Sequence, residues 1–214
     1  MFEYIENKKE RNMNTPNKLT VMRMLLVPAM LIVSLFNIPG EVLGIPIGFI
    51  IMDVIFIIGA LTDKFDGYLA RKNNQVTTFG KFLDPIADKI LVISAFIILV
   101  EKGRLPAWIP VIVIIREFLV SGYRLIAVEK KGKVVAANFW GKLKTVTQMI
   151  AIILAFVDNN QFGAAFTTSI ETMGVIPYIL NMVVTILMIV CVVATIFSGY
   201  EYLKDGKDVL LKDC

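Results

Sequence analysis

Residues 175–199 read VIPYILNMVVTILMIVCVVATIFSG, a stretch with no charged side chain and long enough to cross a hydrocarbon core of ~30 Å as a helix. Working outward from it, further apolar runs fall at 19–37, 43–62, 83–100, 106–127 and 140–157, separated by polar residues, Gly and Pro. A backbone in lipid must satisfy its own polar groups, so the pattern predicts helices throughout: an all-α integral membrane protein with six transmembrane helices. The composition agrees. Of 214 residues, 57% are hydrophobic and 19% charged, and the mean hydropathy is +0.72, too apolar for one water-soluble core. Six spans of roughly 20 residues need about 120 residues, close to the whole apolar share. The expected organisation is a polar N-terminal segment (1–17), cytoplasmic or interfacial, a six-helix membrane domain (18–203) and a cytoplasmic tail (204–214). The apolar stretch 24–36 follows basic residues as in a signal peptide, but no small-x-small cleavage site precedes Pro39, and it reads as retained.

Basic residues orient the spans, because basic loops stay cytoplasmic. Lys8, Lys9, Arg11, Lys18 and Arg23 lie before or within the first span, and Lys64, Arg71, Lys72, Lys81 and Lys89 between spans two and three. Arg124, Lys130, Lys131, Lys133, Lys142 and Lys144 surround the next loop on that side, and Lys204, Lys207 and Lys212 lie in the tail. The opposite side carries Lys102 and Arg104. Both termini and the 63–89 segment are therefore expected in the cytoplasm, and the net charge of +4 follows from topology. It is no argument for nucleic acid. The chain has no histidine, which excludes Ser-His-Asp and Cys-His catalysis, His-ligated zinc and an imidazole proton shuttle. Cys191 and Cys214 form neither a disulfide framework nor a metal-ligand spacing. The 158–173 loop suggests no chemistry.

Between spans two and three the chain reads Asp63-Lys-Phe-Asp66-Gly67-Tyr-Leu-Ala70-Arg71, then eight residues to Gly80, then Asp84 and Asp88. On a helix, Asp63, Asp66, Gly67 and Ala70 share one face, and Gly80, Asp84 and Asp88 share another. Two helices could so present four carboxylates to one another, and their repulsion calls for protons or cations. Two divalent ions would cancel the charge. Short carboxylates suit hard cations such as Mg2+ or Mn2+, which keep positions open for phosphate oxygens. Gly67, Ala70 and Gly80 remove bulk beside these ligands, and Arg71 is placed to hold a phosphate. Any one Asp alone would read as a charge solvating a helix end. Together the spacing fits a metal-dependent phosphoryl-transfer site.

The signature D-x2-D-G-x2-A-R-x8-G-x3-D-x3-D, matched at every position from Asp63 to Asp88, resembles that of the CDP-alcohol phosphotransferase family. The resemblance implies six transmembrane helices, cytoplasmic termini and active site in a bacterial-type cell membrane, and a homodimer. It implies two Mg2+ or Mn2+ ions held by Asp63, Asp66 and Asp84, with Asp88 as general base and further ligand, and CDP contacts from Asp66, Gly67, Ala70, Arg71 and Gly80. Thr20, Arg23 and Thr78 are further candidates for the CDP or diphosphate group, although helix-end hydrogen bonding would account for them equally. Within the family, Arg116-Glu117, Arg124, Gly141-Lys142-x-Lys144-Thr145 and Pro16-Asn17-x-Leu-Thr20-x2-Arg23 resemble the members that join CDP-diacylglycerol to sn-glycerol 3-phosphate. Members that use inositol phosphate share the same core.

Arg116 lies roughly 15 Å deep in span four, where an unpaired charge is expensive. Two readings stand: it pairs with Asp53 of span two, or it joins Arg124, Lys142 and Lys144 around the phosphate of an acceptor alcohol. Glu117, Ser121 and Arg124 share a face, with Arg116 about 100° away. Asp53 lies about 80° off the face of Asp63, outside the expected metal site. A rival class is a cation-coupled transporter, marked by the intramembrane charges Asp53, Arg116 and Glu117. Transport sites lie near the midplane, whereas the acidic cluster falls at the ends of spans two and three, which favours an enzyme.

Overall fold

The computed structural model describes residues 15–36, 38–72, 78–131 and 139–210, and side-chain surroundings for 18–36, 38–62, 83, 85–124 and 139–204. Most of the 1–17 segment and the last residues of the tail lie outside the described residues. Among those described are six helices of 19 residues or more: α1 (Thr15–Leu35), α2 (Ile47–Lys72), α3 (Thr78–Glu101), α4 (Trp108–Lys131), α5 (Phe139–Val157) and, after two single-turn helices α6 (Ala164–Thr167) and α7 (Ile170–Met173), α8 (Val175–Leu210). Each long apolar run of the sequence falls on one of them. Among the described residues three stretches are long and apolar enough to cross a membrane, Lys18–Leu35, Phe139–Val157 and Val175–Lys204, and α2 adds the shorter Ile47–Thr62.

The second run does not begin as a helix. Glu41–Val42 (β1) and Ile45–Pro46 (β2) pair antiparallel, Val42 opposite Ile45, around a two-residue turn in which Leu43 and Gly44 have φ of 55° and 78°. Positive φ at both central residues makes the turn that matches strand twist, and Gly44 supplies half of it without strain. Helix α2 starts directly after Pro46, and α1 and α8 reach past residues 18 and 203 to Thr15 and Leu210.

One apolar core joins all six long helices, with Val27 and Met30 of α1, Met52 and Phe56 of α2, Leu91 to Leu99 of α3, Ile109 and Val113 of α4, Ile152 and Phe156 of α5, and Met188 of α8. α5 packs on α8, α1 on α2 and α3, and α4 on α8. Gly59 sets the approach of α2 to α3, since a Cβ there would lie 2.6 Å from Leu91 Cδ2. Outward faces carry large apolar side chains on every long helix, among them Leu25, Val54, Ile97, Phe118, Val146 and Ile179. That inversion of a soluble surface suits contact with lipid.

At the hairpin end, a buried polar lock replaces apolar packing. Arg104 donates to the carbonyls of Ala155 (3.1 Å) and Phe156 (2.7 Å) and to Asn159 Oδ1 (2.8 Å). Its guanidinium carbon lies 3.4 Å from the Phe49 ring centroid, so a cation closes the negative end of α5. Burial pushes Arg104 down to about 10, Asp158 opposing the shift, which leaves it charged at neutral pH. Asp158 accepts from Asn181 Nδ2 at 2.7 Å, and Asn181 Oδ1 accepts from the Ala165 N–H at 2.8 Å. The 158–173 stretch is thereby tied to α8. Arg104→Ala removes three hydrogen bonds and should cost about 3 kcal/mol, lowering the unfolding midpoint of the solubilised protein by roughly 6–12 °C. An unchanged midpoint would show that the lock contributes nothing.

Candidate active site

The backbone of α2 stays helical through Lys72, and α3 is helical from Thr78. Asp63, Asp66, Gly67, Ala70 and Arg71 therefore sit on the last turns of α2, and Thr78, Gly80, Asp84 and Asp88 on the first turns of α3. Apart from Asp88, the side chains of these residues lie outside the described ones. Pro85 removes one helical N–H between Asp84 and Asp88.

Asp88 is half-buried and lines a cavity of about 200 Å³ with Lys89 of α3, Arg116, Glu117 and Arg124 of α4, and Lys144, Thr145 and Gln148 of α5. Glu117 is the centre of its ion pairs. Arg116 Nη1 donates to Glu117 Oε1 at 3.0 Å, and Lys144 Nζ donates to the same oxygen. Ser121 Oγ donates to the Glu117 carbonyl at 2.6 Å and accepts from Lys89 Nζ. The second row comes from α8: Arg116 Nη2 donates to Ser198 Oγ, and Arg124 Nη2 donates to Tyr202 Oη at 2.7 Å. Four cations against two carboxylates line the cavity among the described residues. The surplus positive charge is suited to a phosphate monoester, which carries about −1.5 to −2 near neutral pH.

The structure thus brings Asp88, Arg116, Arg124 and Lys144 together. Lys142 is exposed and outside the cavity wall, because two residues from Lys144 on a helix is more than half a turn away. Thr20 and Arg23 are buried on α1, the helix that packs on α2 and α3. The Asp53–Arg116 pair does not form. Asp53 is buried in α2 with no hydrogen-bond partner to Oδ1 among the described residues, while Arg116 turns to Glu117 and Ser198. Lys89, Ser198 and Tyr202 were not site candidates from sequence. Lys89 could have been sought, since it adjoins Asp88 near the end of an apolar run. The two α8 hydroxyls are visible only once α8 is packed on α4.

The chain belongs to the CDP-alcohol phosphatidyltransferase family, whose model matches residues 13–197. It is accordingly a membrane-embedded transferase. Among its relatives, the CDP-diacylglycerol--glycerol-3-phosphate 3-phosphatidyltransferase of Bacillus subtilis is 39% identical over 92% of this chain and 97% of its own. The Haemophilus influenzae protein of the same name is 34% identical over 92% of this chain and 96% of its own. A probable phosphatidylglycerophosphate synthase of Mycobacterium tuberculosis is 42% identical over 67% of this chain and 66% of its own.

Proposed function

We propose that this protein transfers the phosphatidyl group of CDP-diacylglycerol to sn-glycerol 3-phosphate, giving phosphatidylglycerophosphate and CMP. The observation that carries this reading is the cavity that joins Asp88 to Arg116, Arg124 and Lys144, a proton acceptor beside a phosphate-sized cluster of cations. The names of the relatives support it. Arg116, Arg124 and Lys144 hold the acceptor phosphate and so fix its free hydroxyl toward Asp88. Asp88 takes the hydroxyl proton, the alkoxide oxygen forms a bond to the β-phosphorus, and the bond from that phosphorus to the CMP oxygen breaks. The proton passes from Asp88 to solvent, and CMP carries away the negative charge. Gly67, Ala70 and Gly80 leave space for the CDP moiety, Arg71 binds it, and Thr20, Arg23 and Thr78 border the diphosphate.

Asp63, Asp66, Asp84 and Asp88 would supply oxygen donors of the kind that suits two Mg2+ or Mn2+ ions, and Asp88 stands half-buried at the cavity wall. Ions held there would supply charge neutralisation at the diphosphate. The reading includes six spans, supported by one long helix for each apolar run. It also includes cytoplasmic termini and active site in a bacterial-type membrane, supported by the one-sided distribution of Lys and Arg, and the homodimer implied by the family resemblance. Purified protein given CDP-diacylglycerol, sn-glycerol 3-phosphate and Mg2+ should yield CMP and a lipid with the mass of phosphatidylglycerophosphate. EDTA should stop the reaction, and Mg2+ should restore it. Full turnover in EDTA would overturn the metal assignment.

A further inference from the structure

We infer that Ser198 and Tyr202, on the face of α8 that meets α4, are positioning residues that aim Arg116 and Arg124 at one acceptor phosphate and so set selectivity for phosphorylated alcohols. The inference rests on the acceptor reading above. Both residues lie beyond the stretch that the family model matches, and neither lines the cavity itself.

Arg116 and Arg124 are eight residues apart on α4, about 12 Å along the axis, whereas Ser198 and Tyr202 are one turn apart on α8, about 6 Å. Arg116 donates to the first and Arg124 to the second, so the two side chains lean toward each other. The Tyr202 ring shows the convergence directly. The Arg116 guanidinium carbon is 5.8 Å from its centroid and that of Arg124 5.3 Å, both within cation–π reach.

The ring is held in turn. Tyr202 is 5% exposed, clusters with Val120 and Tyr123, and meets the Tyr123 ring at 6.1 Å in an edge contact. The Arg116 stem also runs beside α8 at Gly199, where an added Cβ would stand 3.5 Å from Arg116 Cγ, an ordinary packing distance. Arginine side chains lose much rotamer freedom when ordered. A hydroxyl that fixes each fork in advance lowers that cost at the moment of phosphate binding. The effect belongs to acceptor affinity. The reading above assigns the CDP-lipid to other residues, on α1, α2 and α3, so its KM is expected to stay nearly unchanged.

The test is steady-state CMP release by full-length Tyr202→Phe and Ser198→Ala, varying sn-glycerol 3-phosphate and CDP-diacylglycerol separately. Tyr202→Phe keeps the ring and its packing and loses the hydroxyl. Each variant should raise KM for glycerol 3-phosphate by about tenfold, the scale of one charge-assisted hydrogen bond, with KM for CDP-diacylglycerol changed less than twofold. Adding Tyr202→Phe to Arg124→Ala should produce no further rise, because the hydroxyl acts through that arginine. Unchanged acceptor KM in both variants, or an equal loss toward both substrates, would overturn the positioning role while leaving the acceptor reading in place. Wild-type protein that ignores glycerol 3-phosphate would overturn both together.

Discussion

Asp88→Asn is expected to slow CMP formation by at least about 10³-fold, the upper range for loss of a general base, while CDP-diacylglycerol still binds. Asparagine preserves the shape and one oxygen of the carboxylate but cannot take a proton. No imidazole can substitute, since the chain has no histidine. Among the described residues the other carboxylate on the cavity wall is Glu117, and it is engaged by Arg116 and Lys144. Single-turnover CMP release and equilibrium binding of labelled CDP-diacylglycerol separate the two effects. A residual rate above a tenth of wild type would remove Asp88 from the base role. Loss of binding together with rate would make it chiefly a ligand.

Lys144→Met should lower kcat/KM for sn-glycerol 3-phosphate by about 100-fold, equivalent to the loss of a buried charge-assisted contact worth ~3 kcal/mol. Lys144 is 4% exposed on α5, and methionine fills much of its volume without the charge. The variant also removes one of the two cations that neutralise the Glu117 carboxylate, so the cavity loses surplus positive charge and Glu117 repels the incoming phosphate. KM for CDP-diacylglycerol should move little. Equal damage toward both substrates would mean that Lys144 supports the bundle and does not bind the acceptor.

The helices were legible because apolar length is a direct signal, and each run became one long helix. The hairpin at 41–46 was not. Leu43 and Ile45 look like the start of a span, and the positive φ at Gly44 and the break at Pro46 outweigh that apolar pattern. The 158–173 stretch suggested no chemistry, yet Asn181, a lone amide in an otherwise apolar run, was a sign that a polar partner had to be near. Asp158 is that partner.

Within the site, single-helix geometry put Glu117, Ser121 and Arg124 on one face; Glu117 and Arg124 line the same cavity, and Ser121 bonds the Glu117 carbonyl. Arg116 lay about 100° away, yet it lines the cavity, with Nη1 on Glu117 and Nη2 on Ser198 of α8. Facing residues from different helices, such as Ser198 with Arg116 or Lys89 with Ser121, depend on tertiary packing that one-helix periodicity does not contain. The spacing from Asp63 to Asp88 stands out in the sequence because its information is local to two helices, while the side chains of Asp63, Asp66 and Asp84 lie outside the described residues.

The most direct measurement is the acceptor preference of the purified protein with CDP-diacylglycerol and Mg2+, scored as CMP release. Glycerol 3-phosphate should be used at least about 100-fold more efficiently than glycerol, the scale of the phosphate contacts in the cavity. Equal use of glycerol, or turnover with inositol phosphate or serine while glycerol 3-phosphate fails, would contradict the assigned acceptor.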